Sequence, residues 1–67
     1  MKPRADTAAP SVRAPRILVV DDDEGLLILM AESLRAEGYE VEAVTSGSAA
    51  LRWLNTHTPD LLLLDLK

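Results

Sequence analysis

Two short apolar runs, each followed at once by aspartate, constrain the fold of this chain more than any other feature. Ile17–Val20 precedes Asp21–Asp23, and Leu61–Leu64 precedes Asp65. Short, continuous apolar runs are typical of strands that are covered on both faces of a parallel sheet. The two runs therefore predict buried strands that end in carboxylates.

A helix is predicted directly after the first group of acids. Asp22, Asp23 or Glu24 is expected to cap its N-terminus, and Gly38 is expected to end it. Apolar residues recur in this segment at helical spacing, which predicts an inward face. That face would contain Leu26, Leu29, Met30 and Leu34.

A second strand and a second helix are predicted next along the chain. Glu40–Val44 partly alternates between polar and apolar residues, which indicates a strand with one wetter face. Ser46 or Ser48 is expected to cap the helix that follows, and Pro59 ends it. The inward residues of this helix would be Ala50, Leu51 and Leu54.

The order of these elements predicts an α/β fold of the type βαβαβ. Strands joined through helices run parallel, and their crossovers are right-handed. The first and third strands are continuously apolar, so we expect them inside the sheet. The second contains Glu40 and Glu42 and is expected at an edge, which gives the strand order 2-1-3. The third strand then needs a neighbour on its far side, and residues 17–67 supply none.

Composition divides the chain into two parts. Residues 1–16 hold three of the four prolines and four basic residues against one acid, which predicts a disordered tail. Residues 17–67 hold ten acids against three basic residues. Because phosphate contacts need a basic surface, we expect no direct nucleic-acid binding by this segment.

The compartment is predicted from apolar run lengths and from cysteine content. The longest apolar run has six residues, whereas a membrane-spanning helix needs about 20. No membrane contact is therefore expected. The chain contains no cysteine, as is common in reducing compartments. We expect a cytoplasmic location.

Carboxylates at the strand ends are suited to a metal site. Parallel strands present their C-terminal ends at one side of the sheet, so Asp21, Asp22 and Asp65 are expected to converge there. Neighbouring carboxylates repel, and a divalent cation relieves the repulsion. A set of oxygen ligands favours Mg²⁺. Asp65 stands alone at its strand end and suits a nucleophile toward a phosphoryl group.

Several segments together resemble one protein family. Arg16–Asp23 resembles the first strand and acid pair of the receiver domain of bacterial two-component response regulators. Glu37–Tyr39, Ser46–Leu51 and Pro59–Asp65 resemble later landmarks of that domain, in the same order and at similar spacing. The resemblance covers about residues 16–67.

The resemblance implies a flavodoxin-like parallel sheet, of which residues 17–67 would be the N-terminal portion, truncated after the third strand. It implies that Asp65 accepts a phosphoryl group from a sensor histidine kinase. It also implies an Mg²⁺ site in which Asp22 binds directly, Asp21 binds through water and Asp65 is a further ligand. The backbone carbonyl of Lys67 would be a further ligand. No catalytic residue is implied beyond Asp65, and we do not expect an enzyme.

Two family features have no counterpart in residues 17–67: a Thr or Ser after the fourth strand and a Lys after the fifth. We therefore expect phosphoacceptor function to be impaired. An alternative hypothesis is a non-catalytic fragment that self-associates or docks a partner through the exposed edge of the third strand. A third hypothesis, a small hydrolase or phosphatase using Asp65, is disfavoured because no second acid, Lys or Thr is placed to assist.

Overall fold

The computed structural model describes residues 13–66. The predictions for residues 1–12, which form most of the expected tail, and for Lys67 lie outside the described residues. Five elements follow one another along the chain. They are β1 (Arg16–Asp21), α1 (Glu24–Ala36), β2 (Glu40–Val44), α2 (Gly47–Leu54) and β3 (Leu61–Asp65).

The three strands form one parallel sheet in the order β2-β1-β3, which confirms the predicted order. Ile17 lies opposite Val41 on one side and Leu61 on the other. At this end of the sheet, the Arg16 amide donates to the Asp60 carboxylate over 2.7 Å. The Asp60 amide donates in return to the Arg16 carbonyl oxygen over 2.7 Å. These two bonds hold the register of β1 and β3.

The core lies on both faces of β1, because successive side chains of a strand point to opposite faces. Each face is covered by one helix, so the molecule has three layers. Two right-handed crossovers that run in opposite directions along the sheet place their helices on opposite faces. The buried residues on the α1 face are Ile17, Val19 and Leu27, and those on the α2 face are Leu18, Val20 and Ala50.

Both helices begin as the sequence predicts, and α1 also ends as predicted, whereas α2 ends at Leu54, well before the predicted stop at Pro59. The Asp23 carboxylate accepts from the Leu26 amide over 3.1 Å at the start of α1. The Ser46 hydroxyl accepts from the Ala49 amide over 3.1 Å at the start of α2. Gly38 follows α1 with a φ of +99°, a conformation that favours glycine.

The inward face of α1 differs from the prediction. Leu27 and Ala31 are buried, whereas Leu26 and Leu29, predicted to face the core, are exposed. The helix contacts β1 and β2, so its buried face is rotated away from the β3 side. A similar rotation in α2 leaves Leu51 exposed. Helical periodicity alone could not choose between these apolar stripes.

Within residues 13–66, the far edge of β3 has no neighbouring strand, as the sequence predicts. Leu61–Leu64 are between 37% and 60% exposed, because β3 pairs with β1 on one edge and both helices contact β1 and β2. An apolar groove runs between α1 and β3. It is lined by Leu29, Met30, Ser33, Leu34 and Leu63.

Candidate functional site

Two predicted site residues, Asp21 and Asp65, end neighbouring strands and lie directly opposite each other. Neighbouring strands are about 4.8 Å apart, and residues opposite each other in a parallel pair point to the same face. The register that begins with Ile17 and Leu61 therefore ends with two aspartates paired on neighbouring strands. The structure brings these two acids together as the sequence predicts.

Asp21 is the most unusual of these acids because it is fully buried, with 0% of its surface exposed. One carboxylate oxygen, Oδ1, accepts from the Asp23 amide over 2.8 Å. The other, Oδ2, has no hydrogen-bond partner within residues 13–66. Leaving a buried polar atom unpartnered is costly, so such an atom indicates a ligand or ion that completes it. A water held by a bound cation would satisfy Oδ2, and this acid therefore fits the edge of a metal site.

The remaining acids near this end of the sheet differ in their roles. Asp22 and Asp65 are exposed. Asp23 is engaged as the cap of α1, and Glu24 lies in the first helical turn, where a negative charge interacts favourably with the helix dipole. Part of the local acidic charge therefore stabilises α1 and is not available to a ligand.

The three-carboxylate site predicted from the sequence is not assembled among the described side chains. Between residues 13 and 66, no three His, Cys, Asp or Glu side chains are grouped so that they could hold a metal ion. Mg²⁺ is commonly bound through one or two carboxylates together with water. Asp21 and Asp65, which are paired on neighbouring strands, are two carboxylates of this kind. The predicted carbonyl ligand of Lys67 lies outside the described residues.

Opposite charges are paired at the other end of the strands. Arg13 lies 3.7 Å from the Asp60 carboxylate, and Arg16 lies 3.1 Å from the Glu40 carboxylate. These ion pairs join the starts of the three strands. The sheet therefore has a charge-paired end, where the strands begin, and an acidic end, where β1 and β3 stop.

The chain matches the response regulator receiver domain family over residues 17–67. Since this match covers most of the chain, the protein belongs to that family. Receiver domains are phosphoacceptors that receive a phosphoryl group from sensor histidine kinases, and they typically bind Mg²⁺ at the phosphorylation site. The three-stranded sheet, with one helix on each face, agrees with the first part of the flavodoxin-like receiver fold.

Curated relatives are transcriptional regulators of bacteria. Transcriptional regulatory protein PrrA of Mycobacterium tuberculosis is 42% identical over 55 residues, which are 82% of this chain and 24% of PrrA. Phosphate regulon transcriptional regulatory protein PhoB of Rhizobium meliloti is 45% identical over 51 residues, which are 76% of this chain and 22% of PhoB. The chain thus spans about a quarter of the length of these relatives.

No solved structure is significantly similar to the chain. No helix between residues 13 and 66 has the length and apolar character needed to cross a membrane.

One feature of the site was missed from the sequence, namely the full burial of Asp21 and its hydrogen bond from the Asp23 amide. The sequence predicted a cluster of acids but did not separate the buried member from the exposed ones. A signal for its burial was present in β1, since Asp21 directly continues a run of residues that is buried on both faces of the sheet. Its side chain shares a face with Ile17 and Val19.

Proposed function

We propose that the chain is a phosphoacceptor module of a two-component phosphorelay in which Asp65 receives the phosphoryl group from a sensor histidine kinase. The observation that carries the proposal is the alignment of Asp65 with Asp21, a buried acid whose Oδ2 lacks a partner. Membership of the receiver family supplies the class of reaction. Asp65 ends its strand and is exposed, so an incoming phosphoryl group reaches its carboxylate.

The proposed step is a transfer from nitrogen to oxygen. A carboxylate oxygen of Asp65 attacks phosphorus and forms a P–O bond. The P–N bond to the histidine of the kinase breaks, and its electron pair stays on the imidazole nitrogen. The product is an aspartyl phosphate, and the kinase histidine returns to its unphosphorylated form.

Mg²⁺ is the cofactor of this proposal, with Asp21, Asp22, Asp65 and the Lys67 backbone carbonyl as its ligands. When bound, the ion neutralises charge on the transferring phosphoryl oxygens. The role of Asp21 is supported by its buried, unpartnered oxygen, which a water bound to the cation would satisfy. The roles of Asp22 and Lys67 rest on the family resemblance.

The proposal includes the wider biology expected from the sequence. The module is a phosphoacceptor and not an enzyme that acts on a separate substrate, and it resides in the cytoplasm. No direct nucleic-acid contact is assigned to residues 17–67, because this segment is strongly acidic. Phosphorylation is expected to be slow, since no Thr, Ser or Lys from further strands is available in residues 17–67 to contact the phosphoryl oxygens.

Phosphorylation by a small phosphodonor tests the proposal. The chain is incubated with acetyl phosphate and Mg²⁺, and its intact mass and labelled peptide are determined. We expect a gain of one phosphoryl group on Asp65 that is lost in Asp65→Asn and kept in Glu32→Gln, a matched change of an exposed acid on α1. A label that survives in Asp65→Asn, or no label at any donor concentration, contradicts the proposal.

A second candidate function has its own supporting observation. The leucines of β3 are exposed although a continuous apolar strand is typical of a sheet interior. An open apolar strand edge is a template for pairing with another chain. We therefore propose, as the alternative function, a module that self-associates or docks a partner through β3.

A further inference from the structure

We infer that Asp60 is the positioning residue for the candidate phosphoacceptor Asp65, because it fixes the register of β3 against β1. The inference rests on the proposed function only in giving Asp65 the phosphoryl group, since the register is a property of the two strands. The Asp60 carboxylate accepts from the Arg16 amide over 2.7 Å, and the Asp60 amide donates to the Arg16 carbonyl oxygen over 2.7 Å. Asp60 therefore holds β3 at the end of the sheet that is opposite to the candidate site.

The side chains within β3 do not select a register by themselves. Leu61–Leu64 are identical, so a shift of one residue still places leucine opposite most of the apolar residues of β1. In an ordinary strand, such a shift moves the apolar side chains to the wrong face of the sheet, and this opposes the shift. Both faces of β3 carry leucine, so that penalty is absent. The register therefore depends on residues that flank the leucines.

Acids stand at both ends of the leucine run, and each opposes a shift in one direction. A shift that moves Asp65 inward would place its carboxylate opposite Val20, which is buried. The reverse shift would place Asp60 opposite Ile17, which is also buried, and would break its bond from the Arg16 amide. Removing a carboxylate from water without a partner costs free energy. Each acid therefore prevents a different shift.

The shift that Asp60 prevents would take the candidate site apart. It would place Leu64 opposite Asp21 and move Asp65 further along the sheet by one residue, or about 3.3 Å. Because successive side chains of a strand point to opposite faces, Asp65 would also leave the face that Asp21 occupies. The pairing of two acids favours this shift, since like charges opposite each other repel. The hydrogen bonds of Asp60 offset that repulsion from the far end of the strand.

The register is measured by cross-strand nuclear Overhauser contacts of Asp21 in the isotopically labelled chain without Mg²⁺. The wild type is expected to show the contacts of a register in which Asp21 lies opposite Asp65. In Asp60→Ala the ratio of the native to the shifted register should fall by at least about fivefold, which is the contribution of one such hydrogen bond. Contacts that place Leu64 opposite Asp21 should then appear. Asp60→Asn keeps an acceptor for the Arg16 amide and should retain the native contacts.

A second variant moves the acid and keeps its hydrogen bond. Pro59→Asp combined with Asp60→Leu places the carboxylate one residue earlier and extends the leucine run to five residues. The relocated carboxylate would accept from the Arg16 amide, so we expect this chain to fold with Leu64 opposite Asp21. The double variant tests the inference even where Asp60→Ala does not fold.

Ala31→Gly is the control for a general loss of stability, because glycine weakens the interior of a helix. Ala31 is buried on α1, which contacts β1 and β2, and its variant should keep the native register. A folded Asp60→Ala chain that keeps only the native register overturns the inference, and so does a double variant that keeps it. A shifted register in Asp60→Asn or in Ala31→Gly overturns it as well.

The consequence for the candidate site is measured separately with acetyl phosphate and Mg²⁺, as a labelling rate per folded molecule. Labelling of Asp65 should slow in Asp60→Ala, recover in Asp60→Asn and match the wild type in Ala31→Gly. An unchanged rate in an Asp60→Ala chain with a shifted register overturns the positioning role. A wild type that is not labelled contradicts the proposed function instead, and the register contacts still test Asp60.

Discussion

The two outer edges of the sheet, β2 and β3, differ in the side chains that they expose to solvent. The β2 edge carries two acids, Glu40 and Glu42, and the Arg35 guanidinium donates to the Val41 carbonyl over 2.9 Å. The β3 edge carries four consecutive exposed leucines. Charged side chains on an edge strand prevent pairing with other chains, whereas a bare apolar edge promotes it. The comparison shows that β2 has the features of a true sheet edge and that β3 has those of an interior strand.

Function follows the same division of the molecule. The acidic pair of Asp21 and Asp65 lies where β1 and β3 end. Asp65 of the candidate phosphoryl site is therefore carried by β3, the more exposed of these two strands. Low-stability elements often border binding sites. Any chain that covers the β3 edge would also restrain the backbone that carries Asp65.

The largest expected effect comes from placing a charge at the centre of the β3 edge. If copies of the chain associate through β3, Leu63→Lys would place a charge on each contacting edge and remove a leucine from it. We expect the dimer dissociation constant to rise by about a hundredfold, since both changes together cost at least about 2.7 kcal/mol. Sedimentation equilibrium measures this constant.

Ile28→Lys is the matched control for that substitution. Ile28 is also apolar and exposed, and it lies on α1 about 160° around the helix from Leu26, on the flank away from the groove. Its dissociation constant should stay within twofold of the wild type. An equal loss of dimer in both variants would show that added charge, and not the β3 edge, governs assembly.

The next largest effect is expected from removing the protection of the β2 edge. Glu42→Leu gives β2 an apolar centre, so each copy would have two edges able to pair. Two pairing edges generate open chains of sheets, and we expect average masses above that of a dimer in light scattering. Glu42→Gln removes the charge without adding an apolar side chain and should remain dimeric. A dimeric Glu42→Leu variant would contradict the role assigned to this acid.

A smaller effect is expected where β3 is attached to β1. Asp60→Ala removes the acceptor of the 2.7 Å bond from the Arg16 amide. We expect the free energy of unfolding to fall by about 1 kcal/mol in urea denaturation, because the bond is charge-assisted but exposed to solvent. Glu32→Ala, a change at an exposed acid of α1, should alter it by no more than about 0.5 kcal/mol. Similar losses in the two variants would mean that the Asp60 bond does not hold β3.

The smallest effect concerns the arginine that protects β2. Arg35→Met keeps much of the aliphatic length but removes the donor to the Val41 carbonyl. We expect a loss of about 0.5 kcal/mol, the lower end for a hydrogen bond on the surface. Arg52→Met changes an exposed arginine of α2 and should be neutral. A larger loss of stability in Arg52→Met than in Arg35→Met would contradict a stabilising role of Arg35 at the β2 edge.

Much of the fold was predictable because the strands differ in composition. The glutamates of β2 and the apolar run of β1 determine which strand is central, and the order β2-β1-β3 confirmed that prediction. The face of α1 was not predictable. Residues 26–31 are apolar without a break, so either of two stripes satisfies helical spacing. Packing against β1 and β2 selected Leu27 and Ala31.

The candidate site was predictable in position and not in detail. Two acids at the ends of adjacent parallel strands must be neighbours, and the register of Asp21 with Asp65 agrees. Which carboxylate oxygen lacks a partner depends on the Asp23 amide and on a side-chain rotamer. Sequence patterns do not contain that information. The exposure of β3 likewise depends on what covers its far edge, and the composition of the strand does not specify that.

The claim that the ends of β1 and β3 form one metal site is tested most directly by titrating Mg²⁺ into the ¹⁵N-labelled chain and following its backbone amide resonances. The account predicts saturable shifts confined to Asp21–Asp23 and to Asp65 and its neighbours, and their loss in Asp21→Asn. Shifts spread evenly over the acidic surface, or shifts that are unchanged in Asp21→Asn, would contradict it.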